Sequence, residues 1–326
     1  MPADVGVAFD GGEAPETVRA LTREAEAAGV HTLWFAAHLF NREPICTAAL
    51  ALATTSRVKV ALMALSPYTV HPVYAAMAAA TLDEWFPGRV ELCLGVGAPR
   101  DLEAAGVGAP QPLATLRESL AVARALLAGE SVAHAGERFQ MHGRRLATGA
   151  RAVPLLLAAS GPRMLTLAGA AADGVVISAA AAPAFVAWTL DRVRQGGRAV
   201  RHVALVYAAM DERPERAHAR LRRELGFILR GAHHARNLRL AGSTLDQAAL
   251  ADAYAREDWL GVEALVGDDL VRRHAASGTP ADVRMALEAY EAAGLDEIVL
   301  SGLAGQANRA AILRIAMQAG AAQAGS

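Results

Sequence analysis

Cysteine, aromatic side chains and net charge are all scarce in this chain of 326 residues. Two cysteines, Cys46 and Cys93, cannot build a disulfide framework, which points to a reducing compartment. Lys+Arg 32 against Asp+Glu 33 leaves a formal net charge of −1, so no strong field draws the chain to nucleic acid or to an anionic membrane. No uninterrupted apolar run has membrane-spanning length and character, because charges or glycines break the Ala-rich segments. The opening residues, MPADVGVAFDGGEAPE, lack the basic, apolar and small-residue order of a signal peptide, and the expectation is a soluble, cytoplasmic protein. HExxH motifs, Cys/His clusters, Walker loops and GxSxG elbows are all missing. Metal-assisted hydrolysis, nucleotide hydrolysis and α/β-hydrolase chemistry therefore lack support.

What is present is a core and a rhythm. A hydrophobic content of 53% with almost no net charge excludes global disorder and allows a large buried core. Short apolar runs alternate with longer Ala-rich segments of helical character. The runs are VGVAF (5–9), HTLWFAAH (31–38), VKVALMAL (58–65), RVELCLGVG (89–97), VPLLLAAS (153–160), DGVVIS (173–178), HVALVYAAM (202–210) and DEIVLSG (296–302). Continuous apolar strands between helices indicate a parallel sheet covered on both faces, and eight such units predict a (β/α)8 TIM barrel. An open doubly wound sheet is the runner-up. It would carry a Gly-rich dinucleotide turn after its first strand, and DGGEAPE (10–16) is not one.

One domain over 1–326 is expected, interrupted twice. The polar, Gly-punctuated stretch 130–151 reads as a hairpin-like insertion. The segment 212–274 is too long for a barrel loop and reads as a helical excursion covering the barrel mouth. Its basic residues, including His233 and HARNLRL (234–240), read as a solvated face in preference to an anion-binding lid.

In a barrel, the ends of the strands carry the chemistry. SGPR (160–163) is a small turn directly ahead of a helix, where unpaired N–H groups and the helix dipole attract phosphate. Pro162 occupies a first helical position and Arg163 adds a cation; the same turn would also serve as a plain Ser cap. His38 ends the second run, where it is either a proton mover or a hydrogen-bonding structural residue. The glycines of GVG (95–97) either admit a flat ring or merely end a strand. His71 is read as ordering the loop after the third run.

Taken together, these strand ends resemble the luciferase-like monooxygenase superfamily, most closely its branch of 5,10-methylenetetrahydromethanopterin reductases and related reductases that use the deazaflavin coenzyme F420. The likeness is densest in 66–101, 153–178 and 277–302. It implies a barrel holding coenzyme F420 or FMN in its mouth, with the cofactor phosphate near Ser160, Gly161, Pro162, Arg163 and Ser178. Ala158 and Ala159 would pass beside the ribityl chain, with Gly95 and Gly97 near the ring. The end of the third run, Met63, Ala64, Leu65 and Ser66, would lie behind the ring, with a non-proline cis peptide between Met63 and Ala64. His38 matches a family histidine beside ring and substrate. This sequence departs from the pattern in four places. Ala37 stands where an Asp is usual, Arg100 where an acid is common (Asp101 being adjacent), Ser66 replaces an Asn or Thr, and Val70 replaces an Arg. Without the carboxylate at 37, the pterin substrate is not assumed.

The resulting expectation is a flavin- or deazaflavin-dependent oxidoreductase that moves a hydride between cofactor and a small organic substrate, as a homodimer. Alternatives are an FMN monooxygenase, a barrel that binds cofactor or ligand without catalysis, and an unrelated phosphate-binding isomerase or aldolase. No lysine sits at the predicted strand ends, which argues against a Schiff-base aldolase.

Overall fold

The computed structural model describes residues 3–303 and 306–324. Eleven strands occur among them: β1 (Asp4–Phe9), β2 (Thr32–Ala36), β3 (Lys59–Leu65), β4 (Val90–Leu94), β5 (Val132–Ala135), β6 (Gln140–Arg144), β7 (Leu155–Ala158), β8 (Gly174–Ile177), β9 (Arg201–Met210), β10 (Ala276–Gly278) and β11 (Glu297–Ser301). Hydrogen bonding orders the main sheet β10-β9-β11-β1-β2-β3-β4-β7-β8, and β9 also pairs with β8. Eight strands therefore close a parallel (β/α)8 barrel, and the open-sheet alternative is excluded. All eight expected strands are present, each within a few residues of its apolar run.

Proline sets most of the helix starts. Nine of the 14 prolines open a helix: α1 (Pro15–Ala27), α2 (Pro44–Thr54), α3 (Pro72–Trp85), α4 (Pro99–Ala104), α5 (Pro112–Leu127), α6 (Pro162–Ala171), α7 (Pro183–Arg194), α8 (Pro214–Leu229) and α13 (Pro280–Ala292). Its preset φ suits the first turn, and the N–H it lacks would find no partner there. The short α4 lies in a stretch read as loop; Pro99 starts it directly after the glycines of β4. The remaining helices are α9 (Ala235–Leu240), α10 (Gln247–Ala255), α11 (Trp259–Leu265), α12 (Asp268–His274) and α14 (Gln306–Ala324).

The chain divides into two compact units. One comprises 9–176 and 192–201 and contains β2, β3, β4, β7 and β8 as far as Val176. Its strands are almost wholly apolar and buried, as a sheet covered on both faces requires. Residues 130–151 hold the antiparallel hairpin β5–β6. Glu118 of α5 fastens its turn, accepting from the amides of Glu137, Arg138 and Phe139 at 3.0 Å each.

The other unit comprises 1–8, 177–191 and 202–326. In it the excursion leaves β9 at its C-terminal end, after Met210, and returns through β10, which pairs in parallel with Ala208–Met210. This short strand carries no apolar pattern in its three residues, Ala-Ser-Gly, and the sequence did not mark it. The excursion has its own core. Ala217, Leu221, Leu225 and Leu229 form a stripe of period four along α8, packed with Leu238, Leu250, Val262, Leu270 and Val271.

Candidate functional site

Three strand ends in the larger unit make a flat seat. A Cβ built on Gly95 would lie 2.9 Å from the Cβ of Ala64 and 3.2 Å from that of Ala158, so only glycine lets β3, β4 and β7 pack methyl to methyl here. Met63 and Leu65 are buried, whereas Ala64 and Ala158 are partly open. The peptide bond between Met63 and Ala64 is cis, and β3 and β4 shift register between Leu62 and Leu65. The strand end is pinned on both sides: Ala37 N donates to Met63 O (2.6 Å), and Gly95 N donates to Leu65 O (3.2 Å).

Gly97 adopts φ +95, a left-handed conformation that favours glycine. Ser66 braces this turn. Its hydroxyl donates to Val96 O at 2.7 Å and accepts from Tyr68 N at 3.3 Å. Ser66 thus shapes the loop beside the seat, and most of its bonding capacity is spent on backbone.

His38 lies two residues beyond β2 with its side chain 50% exposed, and its Nδ1 is 3.7 Å from Oδ2 of Asp101 in the first turn of α4. The carboxylate missing at Ala37 is therefore replaced in space from a different loop. With Nδ1 facing Asp101, Nε2 is the ring atom left for proton exchange. His71 caps α3, its Nδ1 accepting from Val73 N at 3.2 Å, and meets the Phe139 ring edge-on at 5.1 Å.

The SGPR turn resolves in favour of an uncapped helix. The N-cap of α6 is Gly161, with no side-chain cap, so the plain Ser cap is absent. Ser160, Gly161, Pro162 and Arg163 are exposed, Ala159 is buried, and Ala159 N donates to Val176 O at 3.1 Å. Gly161 has φ −83 and ψ 147, and a Cβ there would meet nothing within 4 Å. Glycine is thus not required by the fold at this position, and the helix end faces open space. Ser178 belongs to the other unit, where it is exposed immediately after β8.

Two features went unread in the sequence. In DGGE, Glu13 is buried and accepts from Gly11 N at 3.1 Å; burial, with the Asp10 charge beside it, raises its carboxyl above the usual range. The carboxylates flanking two glycines were the available signal. Within 234–240, His234, Asn237 and Leu238 are buried, so only part of that helix is the solvated face expected. Among the described residues there is no His/Cys/Asp/Glu group suited to a metal ion, and no helix long and apolar enough to cross a membrane.

An apolar seat for a planar ring, a histidine–carboxylate pair and an open helix N-terminus fit a phosphorylated flavin or deazaflavin. Residues 1–297 match the profile of the luciferase-like monooxygenase family. The chain is 30% identical over 285 residues to the 5,10-methylenetetrahydromethanopterin reductase of Methanolobus tindarius, covering 84% of this chain and 86% of that protein. Its fold matches the coenzyme F420-dependent tetrahydromethanopterin reductase from Methanopyrus kandleri with a TM-score of 0.88, at 23% identity and with 97% and 98% of the two chains covered. An F420-dependent secondary alcohol dehydrogenase solved with an F420–acetone adduct is similar at a TM-score of 0.80, with 20% identity and 98% of each chain covered.

Proposed function

The chain belongs to the luciferase-like monooxygenase family, and on that premise we propose that it is an oxidoreductase that moves a hydride between coenzyme F420 and a small organic substrate. FMN is the alternative cofactor. The observation that carries this reading is the small-residue seat formed by Ala64, Gly95 and Ala158. A bulkier side chain at any of the three would lift a planar ring off the backbone.

When bound, such a cofactor supplies two-electron hydride transfer, and the protein supplies placement and a proton. Met63, Leu65 and Gly97 hold the seat from beneath and beside. Ser160, Gly161, Pro162 and Arg163 hold the phosphate through the open N-terminus of α6, with Ala158 and Ala159 along the chain that links it to the ring. Ser178 contributes its hydroxyl to the cofactor from the end of β8. His38 gives or takes the substrate proton at Nε2, and Asp101 orients its ring and steadies the charged form.

The curated relatives act on different substrates, and Ala37 and Arg100 separate this chain from the family pattern. The substrate class is therefore taken as a small carbonyl or alcohol pair or a reduced pterin, and the experiment decides. Under anaerobic conditions, the visible band of added F420 should bleach, or that of reduced F420 should return, with a competent substrate. Turnover that requires oxygen and FMN would instead make the protein a monooxygenase.

A second copy of the chain is proposed as partner of α2 and α3. The first carries no charged residue, and α3 exposes Tyr74 (60%), Met77 (45%) and Trp85 (63%) along one side. Light scattering should give twice the chain mass, and Trp85→Glu should halve it; a monomeric parent would refute this.

A further inference from the structure

The loop that follows β8, Ser178–Ala182, is held in shape almost entirely from the excursion and the helix behind it. Four consecutive alanines, Ala179 to Ala182, are buried, and only Ser178 is exposed. Ala180 has φ +63, an unusual conformation for a residue with a Cβ, so something must hold it there.

Three buried polar side chains do so. The Asn237 carboxamide bridges the turn, its Nδ2 donating to Ala180 O at 2.7 Å and its Oδ1 accepting from Ala182 N at 3.0 Å. His274 Nδ1 donates a second hydrogen bond to Ala180 O at 2.9 Å, and its Nε2 accepts from the Ser243 hydroxyl at 2.9 Å. The Tyr290 hydroxyl donates to Ala181 O at 2.9 Å. Asn237, His274 and Tyr290 are 0%, 0% and 1% exposed. Buried polar groups this costly to desolvate are kept only where their partners are fixed, and here the partners are three successive residues of one loop.

We propose that Asn237 is a positioning residue for the cofactor, acting through the loop that presents Ser178, with His274 and Tyr290 as its supports. This rests on the reading that Ser178 touches the cofactor. It assigns the excursion a task besides covering: its docking sets the backbone of a cofactor loop, so excursion packing and cofactor affinity are linked. No other amide side chain bridges this turn among the described residues, and an aspartate at 237 could accept from Ala182 but could not donate to Ala180.

The test is a spectral titration of the full chain with coenzyme F420, and with FMN in parallel. The variants are Asn237→Asp, Asn237→Leu, Ser178→Ala and the double variant Ser178→Ala/Asn237→Leu. Asn237→Leu should weaken cofactor binding about 10- to 100-fold, while the rate at saturating cofactor stays within about threefold of the parent. The effect should shrink markedly when Ser178 is already alanine, because Asn237 acts through that loop. Should Asn237→Leu fail to fold, Tyr290→Phe removes one hydroxyl from the same brace and should weaken binding about three- to tenfold. Equal affinities in the parent and in the folded variants would overturn the proposal, as would losses that add independently. A parent that binds neither cofactor overturns the underlying reading and this proposal with it.

Discussion

Replacing Gly161 by aspartate should raise the stability of the protein and lower its affinity for cofactor. At φ −83 and ψ 147 the backbone suits any residue, and a Cβ at 161 meets nothing within 4 Å, so the substitution carries no strain. Removing a glycine from the unfolded ensemble stabilises by about 0.4–1 kcal/mol. An Asp N-cap adds a few tenths over Gly by accepting from the first-turn amides that α6 now leaves without a side-chain partner. The folded state should therefore gain roughly 0.5–1.5 kcal/mol, a rise of one to a few degrees in Tm for a chain of this size. The cofactor phosphate needs those same amides. The aspartate occupies them and sets a like charge beside the ligand, at a cost of about 1.5–3 kcal/mol, or roughly 10- to 150-fold in Kd. The Gly161→Asn variant caps equally well without the charge and should fall between the parent and Gly161→Asp. Differential scanning fluorimetry and spectral titration read the two effects separately. A Gly161→Asp protein that melts higher but binds cofactor as tightly as the parent would show that the phosphate sits elsewhere.

Two further expectations rest on titratable groups. His38→Ala should lower kcat by about 10²–10⁴ with little change in Tm, since the side chain is half exposed. Asp101→Asn should shift the acid limb of the pH–rate profile to lower pH by removing the charge that favours His38 protonation. An unchanged profile in Asp101→Asn would separate the pair. Acid should also loosen the excursion. His234 is held well below its ordinary value, at about 3, by burial and then by the neighbouring His233 and His274; burial lowers His274 and His218 as well. These histidines are neutral when folded and protonate once unfolded, so the stability they contribute is full above about pH 6.5 and is lost as pH falls from there toward 3. The slope is about 1.4 kcal/mol per pH unit for each histidine. Urea unfolding midpoints at pH 7.5 and 5.5 measure it, and a His234→Gln protein with the parent's full slope would refute the assignment.

The barrel was legible because its signal is physical and repeated. Each strand is a continuous apolar run, and proline stands at the start of most helices. The hairpin was legible from its polar, Gly-punctuated character, whereas β10 was not, because Ala276–Gly278 carries neither apolar periodicity nor a turn signal and is a strand only through its pairing with β9. The site was half legible. SGPR and His38 could be read from their places at strand ends, and the cis peptide at Met63–Ala64 followed from the resemblance. Asp101 could be named only as a neighbour of Arg100, since its approach to His38 depends on the helix that begins at Pro99. Asn237 was hidden in a helix whose arginines dominate its character; its burial comes from how the excursion packs on residues more than fifty positions earlier.

The central claim, that the seat at Ala64, Gly95 and Ala158 receives a deazaflavin or flavin ring, is tested most directly by titrating the purified protein with coenzyme F420 and with FMN. The visible spectrum and fluorescence of each cofactor are followed for the parent and for Gly95→Leu. The parent should perturb the spectrum of at least one cofactor saturably at one equivalent per chain, and Gly95→Leu, whose side chain cannot fit against Ala64 and Ala158, should abolish that change. A parent that leaves both spectra unaltered, or a folded Gly95→Leu protein that binds as the parent does, would contradict the account.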